Sequence, residues 1–158
     1  MPSTGTTGFA GEAAVASEFS VRGYIVSLPT VDQGTDLFVE NHSTGQVWRI
    51  QVKTALGNAG RSNYYQFTVK EAAIQSPTAR ASHFAFVARV ANQFKIFLLA
   101  QAVLENFVNN SGMGSRTAGA PTRTFTFIRN TTTGAITCNG INMIPYSAVT
   151  AWNPWPVI

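Results

Sequence analysis

Charge is scarce in this chain: Asp, Glu, Lys and Arg make up 11 % of 158 residues, against about 25 % in an ordinary soluble domain. Each charged side chain is therefore an informative placement. There are two aspartates, Asp32 and Asp36, both inside the six residues "VDQGTD", and three lysines, Lys53, Lys70 and Lys95. One cysteine, Cys138, excludes an intrachain disulfide, and one Cys with two His supplies no CxxC or zinc-spaced cluster. Cysteine usage fits a reducing compartment. The longest apolar stretch, "FKIFLLAQAVL", is interrupted and too short to span a bilayer, and the N-terminal "MPSTGTTGFAGEAAVASEF" lacks a basic leader region. The chain reads as cytoplasmic, with no membrane partner. No internal repeat is visible.

What is present suits a packed core. Hydrophobic residues are 45 % and aromatics 11 %, ample for one domain of this length. The net charge of +4 rests mainly on eight arginines, with a pI near 9.6, which favours polyanionic partners modestly. Phe9, Ala13, Ala16 and Phe19 recur at helical spacing, predicting a helix from about Gly8 to Arg22 that stops at Gly23. "YIVSL" (24–28) reads as a buried strand, "YYQFTV" (64–69) as another, and "KEAAIQSPTAR" as a short helix broken near Pro77. "HFAFVARV" and "FKIFLLA" pair about "ANQ", and "QAVLENFV" is helical. The Gly/Ser-rich segment 109–122 reads as a mobile loop, and "GMGSRTAG" within it is no nucleotide fingerprint because no strand leads into it. "RTFTFIRN" and "AITCNGINMIPY" flank a Thr/Gly turn, before a Trp/Pro tail. The expectation is one α/β or α+β domain over 1–158, with its core at about 8–108, and C-terminal strands and tail at 123–158. It opens helix, strand, strand, strand.

"GTDLFVENHSTGQVWRIQVKT" (34–54) carries more polar side chains than a hairpin needs. Alternation sets Trp48, Ile50 and Val52 on one face and Arg49, Gln51 and Lys53 on the other. A turn centred between Ser43 and Thr44 opposes Glu40 to Val47 and Asp36 to Gln51, Cβ atoms about 4.5–5.5 Å apart. A one-residue slip would turn Asp36 onto the Trp48 face, which burial disfavours. Glu12 lies on the helix stripe expected to face the sheet, beyond the first turn and outside any capping box, where a carboxylate is costly unless compensated. Asp32 reads as a turn residue, His42 as solvated, and His83 as structural.

Glu12 in "GFAGEAAVASEFSVRGY", then "GTD" ending at Asp36, then "RIQVKT" with Gln51 and Lys53, together resemble the PD-(D/E)XK nuclease superfamily over residues 8 to about 100. The likeness is to its branches with a helix-borne Glu and a Gln-x-Lys motif, among them relatives of archaeal Holliday-junction resolvases, modification-dependent restriction enzymes and an intron homing endonuclease. The resemblance implies a restriction-endonuclease-like core, a central mixed sheet flanked by helices, and magnesium- or manganese-dependent hydrolysis of DNA. Asp36, Gln51, the Val52 carbonyl and, through water, Glu12 would hold the metal, and Lys53 would position the attacking water and stabilise developing charge. Gln51 departs from the usual acidic residue, so the site carries one negative charge fewer. A nuclease fold that binds nucleic acid without turnover is therefore a second reading. A third is a structural or interaction protein that pairs with another copy, as a homodimer, through its Trp-rich tail, Trp152 and Trp155.

Arg61, Tyr64, Tyr65, Arg116 and Arg123 are the candidate DNA contacts, arginines for phosphates and tyrosines for stacking. A basic domain of this kind loses DNA affinity steeply as salt rises. Titration of duplex DNA at two ionic strengths checks this: a steep negative slope is expected, and a flat one removes nucleic acid as the partner.

Overall fold

A ten-residue strand, β3, organises the chain. In the computed structural model, which describes residues 4–31, 33–57, 63–116, 118–147 and 155, helix α1 (Thr4–Val21) leads into β1 (Ile25–Ser27), β2 (Leu37–Asn41) and β3 (Gln46–Ala55). There follow β4 (Tyr64–Lys70), α2 (Glu71–Ile74), β5 (His83–Val90), β6 (Gln93–Ala100) and α3 (Gln101–Asn110). Short strands β7 (Ser115–Arg116), β9 (Ile136–Cys138) and β10 (Ile141–Asn142) surround the longer β8 (Thr122–Arg129), and a 3-10 turn spans Ile144–Tyr146.

The first sheet has the order β1-β2-β3-β5-β6. It is mixed: β3 and β5 run parallel, and the other neighbours are antiparallel. The second sheet is antiparallel, in the order β10-β9-β8-β4, with β7 on β8. The mixed sheet and the helix-first order agree with the sequence expectation. The second sheet was not legible there. β4 and β8 alternate buried and exposed residues like any half-solvated strands, and nothing local reveals that they pair.

Two apolar clusters lie on opposite faces of the first sheet. On one, α1 presents Val15 and Phe19 to Leu37, Ile50, Val52, Ala85 and Val87. On the other, Phe84, Phe86, Phe97 and Leu99 meet Tyr65, Phe67, Phe125 and Phe127 of the second sheet. Coverage on both faces explains the unbroken buried run Phe84 to Ala88, since a strand between two layers needs no polar alternation. Trp155 is 3 % exposed. It packs edge-on against Trp48 and Phe19, at ring separations of 4.2 and 5.1 Å, and its carbonyl accepts a hydrogen bond from Arg22. Trp155 is thus core and not a surface for a second copy; Trp152 lies outside the described residues.

Three local expectations need correction. The buried stripe of α1 is Gly11, Val15 and Phe19, while Ala13 is exposed and Phe9 is 65 % exposed. Side-chain size favoured Phe9, but close approach decides: a Cβ on Gly11 would overlap Thr54 Oγ1 and lie 2.9 Å from Thr54 Cβ. The "YIVSL" strand is a three-residue edge strand with Ile25 52 % and Leu28 60 % exposed, because no strand among the described residues pairs on its outer side. Segment 109–122 is not simply a loop. It holds β7, and Gly114 (φ +80) lies under Phe125, whose ring a Cβ would meet at 2.8 Å. The stop of α1 at Gly23 is as read: Tyr24 N–H bonds Phe19 C=O and Gly23 N–H bonds Ser20 C=O, the two bonds of a glycine-terminated helix end.

The seat of α1 on β3 is testable. Gly11→Ala should destabilise by about 1–3 kcal/mol, and Thr54→Ala in the same chain should recover part of that loss. Thermal melting of the two single variants and the double variant measures the coupling. Strict additivity would show that the two residues do not touch.

Candidate functional site

β3 outruns β2. The hairpin register pairs Glu40 with Val47 and Leu37 with Ile50, so the turn is centred between Ser43 and Thr44 as the sequence suggested, closed by Asn41 Oδ1 on the Ser43 and Thr44 N–H groups. β2 begins at Leu37, leaving Gln51–Ala55 with β5 on one edge and no β2 residue on the other. Asp36 stands at that corner. Its N–H bonds the Ile50 carbonyl at 2.9 Å, and its Oδ2 accepts the Val52 N–H at 2.6 Å. The carboxylate satisfies the first backbone donor that β2 leaves behind. In an antiparallel ladder a residue's N–H and C=O point to the same side, so the Val52 carbonyl also faces this edge, while its side chain, 6 % exposed, is in the α1 cluster.

Gln51 and Lys53 leave β3 on the opposite face from Val52 and line one cavity of about 570 Å³ together with Gln33, Gly34, Lys70 and Arg80. Gln51 is 8 % exposed, and its Oε1 is buried with no hydrogen-bond donor among the described residues. An acceptor in that state costs about 1–3 kcal/mol and is a ready ligand for a cation or donor. Lys53 is half-buried. The charged groups on the cavity walls are Lys53, Lys70 and Arg80, with no acid among the described residues that line it; Arg80 also donates to Gln33 Oε1 at 3.1 Å. Such a cavity attracts an anion with several oxygens, such as a phosphodiester.

Glu12 follows Gly11 at the point where α1 touches Thr54, and it is half-buried there. It is not on the cavity wall, because α1 covers the other face of the sheet. Gln51 and Lys53 therefore share a cavity, Asp36 is tied to the strand between them, and Glu12 is carried by the helix that seats on β3 at Thr54. Among the described residues no three His, Cys, Asp or Glu come together as a metal cluster. The donors that fit a hard cation are the Asp36 carboxylate and two neutral oxygens, Gln51 Oε1 and the Val52 carbonyl.

The DNA contacts expected from the sequence fare differently. Tyr65 is 1 % exposed between the two sheets, so it is core and offers no face to a base. Strand alternation turns it inward and leaves its neighbour Tyr64, half-buried, on the outer side. Arg123 is largely buried, with Nε 3.1 Å from Glu71 Oε1 in an ionic contact without hydrogen-bond alignment, and it donates to the Gly114 carbonyl. Arg116 is exposed but also reaches Glu71, at 3.2 Å. Both arginines serve to hold β7 and β8 against α2. Arg61 lies outside the described residues. Lys70 and Arg80 are the cations that sequence reasoning missed. Period-two alternation of Thr68 and Lys70 could have flagged the first; nothing local signals the second.

No protein-family model and no curated protein matches the chain. The fold is nuclease-like. Among solved structures it is similar to a bacterial homing endonuclease, I-Ssp6803I, with a TM-score of 0.63 and 15 % identity over 98 % of this chain and 91 % of that one. At that identity the likeness is one of fold.

His83 is no candidate base. Its ring packs against Trp155 at 5.2 Å, and burial pushes its pKa from 6.5 down to about 4. The unfolded chain therefore binds the proton more tightly. Stability from this group is complete above pH 6.5 and falls as pH drops towards 4, by up to roughly 3 kcal/mol. His83→Leu should melt with a smaller difference between pH 7 and pH 5 than the wild type; equal differences would mean that His83 is not buried neutral.

Proposed function

We propose that this chain is a metal-dependent DNA endonuclease of the PD-(D/E)XK type. The observation that carries the reading is the buried Oε1 of Gln51, which has no donor among the described residues, beside Lys53 in a cavity whose described charged walls are all cationic. Asp36, Gln51 and the Val52 carbonyl would hold Mg²⁺ or Mn²⁺, with Glu12 as the outer carboxylate that the resemblance implies. A hard cation bound there activates water and neutralises charge on phosphorus.

The chain's own groups do the rest. Lys53 orients the attacking water and stabilises the negative charge that grows on the phosphoryl oxygens. Lys70 and Arg80 bind the flanking phosphates and fix the backbone. The water oxygen bonds to phosphorus, one bridging P–O bond breaks, and the leaving oxygen takes up a proton. With Gln51 in place of an acid, metal affinity is modest and a second ion is held poorly.

The same neutral Gln51, with no three-acid cluster among the described residues, favours as second reading a nuclease-fold module that binds DNA without cutting it. Incubation with plasmid, modified duplex and four-way junction in Mg²⁺ or Mn²⁺ separates the two. Cutting of at least one substrate is expected, stopped by chelation and lowered roughly a hundred- to a thousandfold in Lys53→Ala. Binding without cutting would establish the module, and undiminished cutting by Lys53→Ala would remove the site.

A further inference from the structure

β4 and β8 pair along their length, from Tyr64 opposite Ile128 to Lys70 opposite Thr122. Tyr65, Phe67, Val69, Phe125 and Phe127 point inward and are at most 2 % exposed. The alternate residues therefore stand on the outside, in the opposed pairs Gln66 with Thr126, Thr68 with Thr124 and Lys70 with Thr122. Outer sheet faces of soluble domains usually intersperse both signs of charge. Neither of these strands contains Asp or Glu, and between the Tyr64–Ile128 pair at one end and Lys70 at the other the face is built of amide and hydroxyl groups. Thr68, Lys70 and Thr122 at that end are also walls of the cavity that holds Gln51 and Lys53. The face and the cleft are continuous.

We propose that this outer face of the β4–β8 ribbon reads base edges in the major groove of double-stranded DNA. Gln66, Thr68, Thr124 and Thr126 stand at the bases, and Lys70 meets a phosphate next to the one in the Lys53 cavity. The inference rests on the nuclease reading for the strand that occupies the cavity. Its own support is separate. Among the described residues β4 is last in its sheet order, so the β4–β8 pair is the margin of a sheet that β7 and β9 continue beyond β8, and a strand margin with its side chains suits a groove about 12 Å wide. Amides and hydroxyls donate and accept, as base edges require. A surface meant only to hold the backbone would carry arginine and lysine throughout. The absence of acids leaves the phosphates on either side unopposed. Double-stranded RNA does not fit, because its major groove is too deep and narrow for side chains to read.

The experiment is selection of bound sequences, in Mg²⁺, from a duplex library with a randomised centre. Lys53→Ala chains keep bound DNA intact, with and without Gln66→Ala plus Thr126→Val. Thr124→Val is a second variant on the same face, and melting curves confirm that each chain is folded. The Lys53→Ala chain should enrich a common sequence. The face variants should lose preference at one block of adjacent base pairs by roughly ten- to a hundredfold, with an unchanged dependence on salt. Identical preferences in all chains, no enrichment at all, or preferential binding of single strands or RNA would overturn the proposal. Selective binding by a protein whose wild type cuts nothing would keep the reading face and remove only the nuclease. Unselective cutting by the wild type would do the reverse.

Discussion

A strand that runs past its neighbour must find partners for the backbone groups it leaves behind, since a buried N–H or C=O without one costs as much as a lost hydrogen bond. β3 meets this constraint with Asp36, whose carboxylate takes the Val52 N–H at 2.6 Å. That one bond fixes the acid in place and marks where β2 ends. It also leaves the Val52 carbonyl on an edge that β2 does not cover. Gln51 and Lys53 flank Val52 and point to the other face. Five residues of overhang are enough to bring a carboxylate, an amide oxygen and an ammonium group to one corner of the sheet.

The rest of the fold makes that corner rigid. Gly11 lets α1 lie directly on Thr54, and the parallel pairing of β3 with β5 runs through the middle of a sheet covered on both sides. In so apolar a setting a polar Gln51 is expensive. The chain keeps it with an oxygen that no described residue satisfies. Scarcity of charge sharpens the contrast. Lys53, Lys70 and Arg80 converge on one cavity, whereas Arg116 and Arg123 share the single carboxylate of Glu71.

How much of this the sequence disclosed follows from the range of the interactions. The register of the β2–β3 hairpin was legible, because a short turn and period-two alternation are local and a slip would bury a charge. The β5–β6 hairpin was legible for the same reason, its turn residues Ala91 and Asn92 both taking positive φ. The rotation of α1 was not, because it depends on which residue has no side chain and not on which is largest. Nor was the burial of Tyr65 or Trp155, which comes from partners far along the chain: Phe127 opposite Tyr65, and Phe19 and Trp48 around Trp155. Arg80 reaches the cavity only because the segment after α2 turns back towards Gln33, a contact with no signature in spacing.

The central claim is that the Gln51 amide oxygen faces a cation. Calorimetric titration of Mn²⁺ into the wild type, Gln51→Glu and Gln51→Leu tests it most directly, because the three chains differ at that side chain alone. Tighter binding by the Glu variant and loss of binding by the Leu variant, with the fold retained in both, is the predicted result. The same affinity in all three would contradict the account, showing that Gln51 does not touch the metal and that the corner of β3 is not its site.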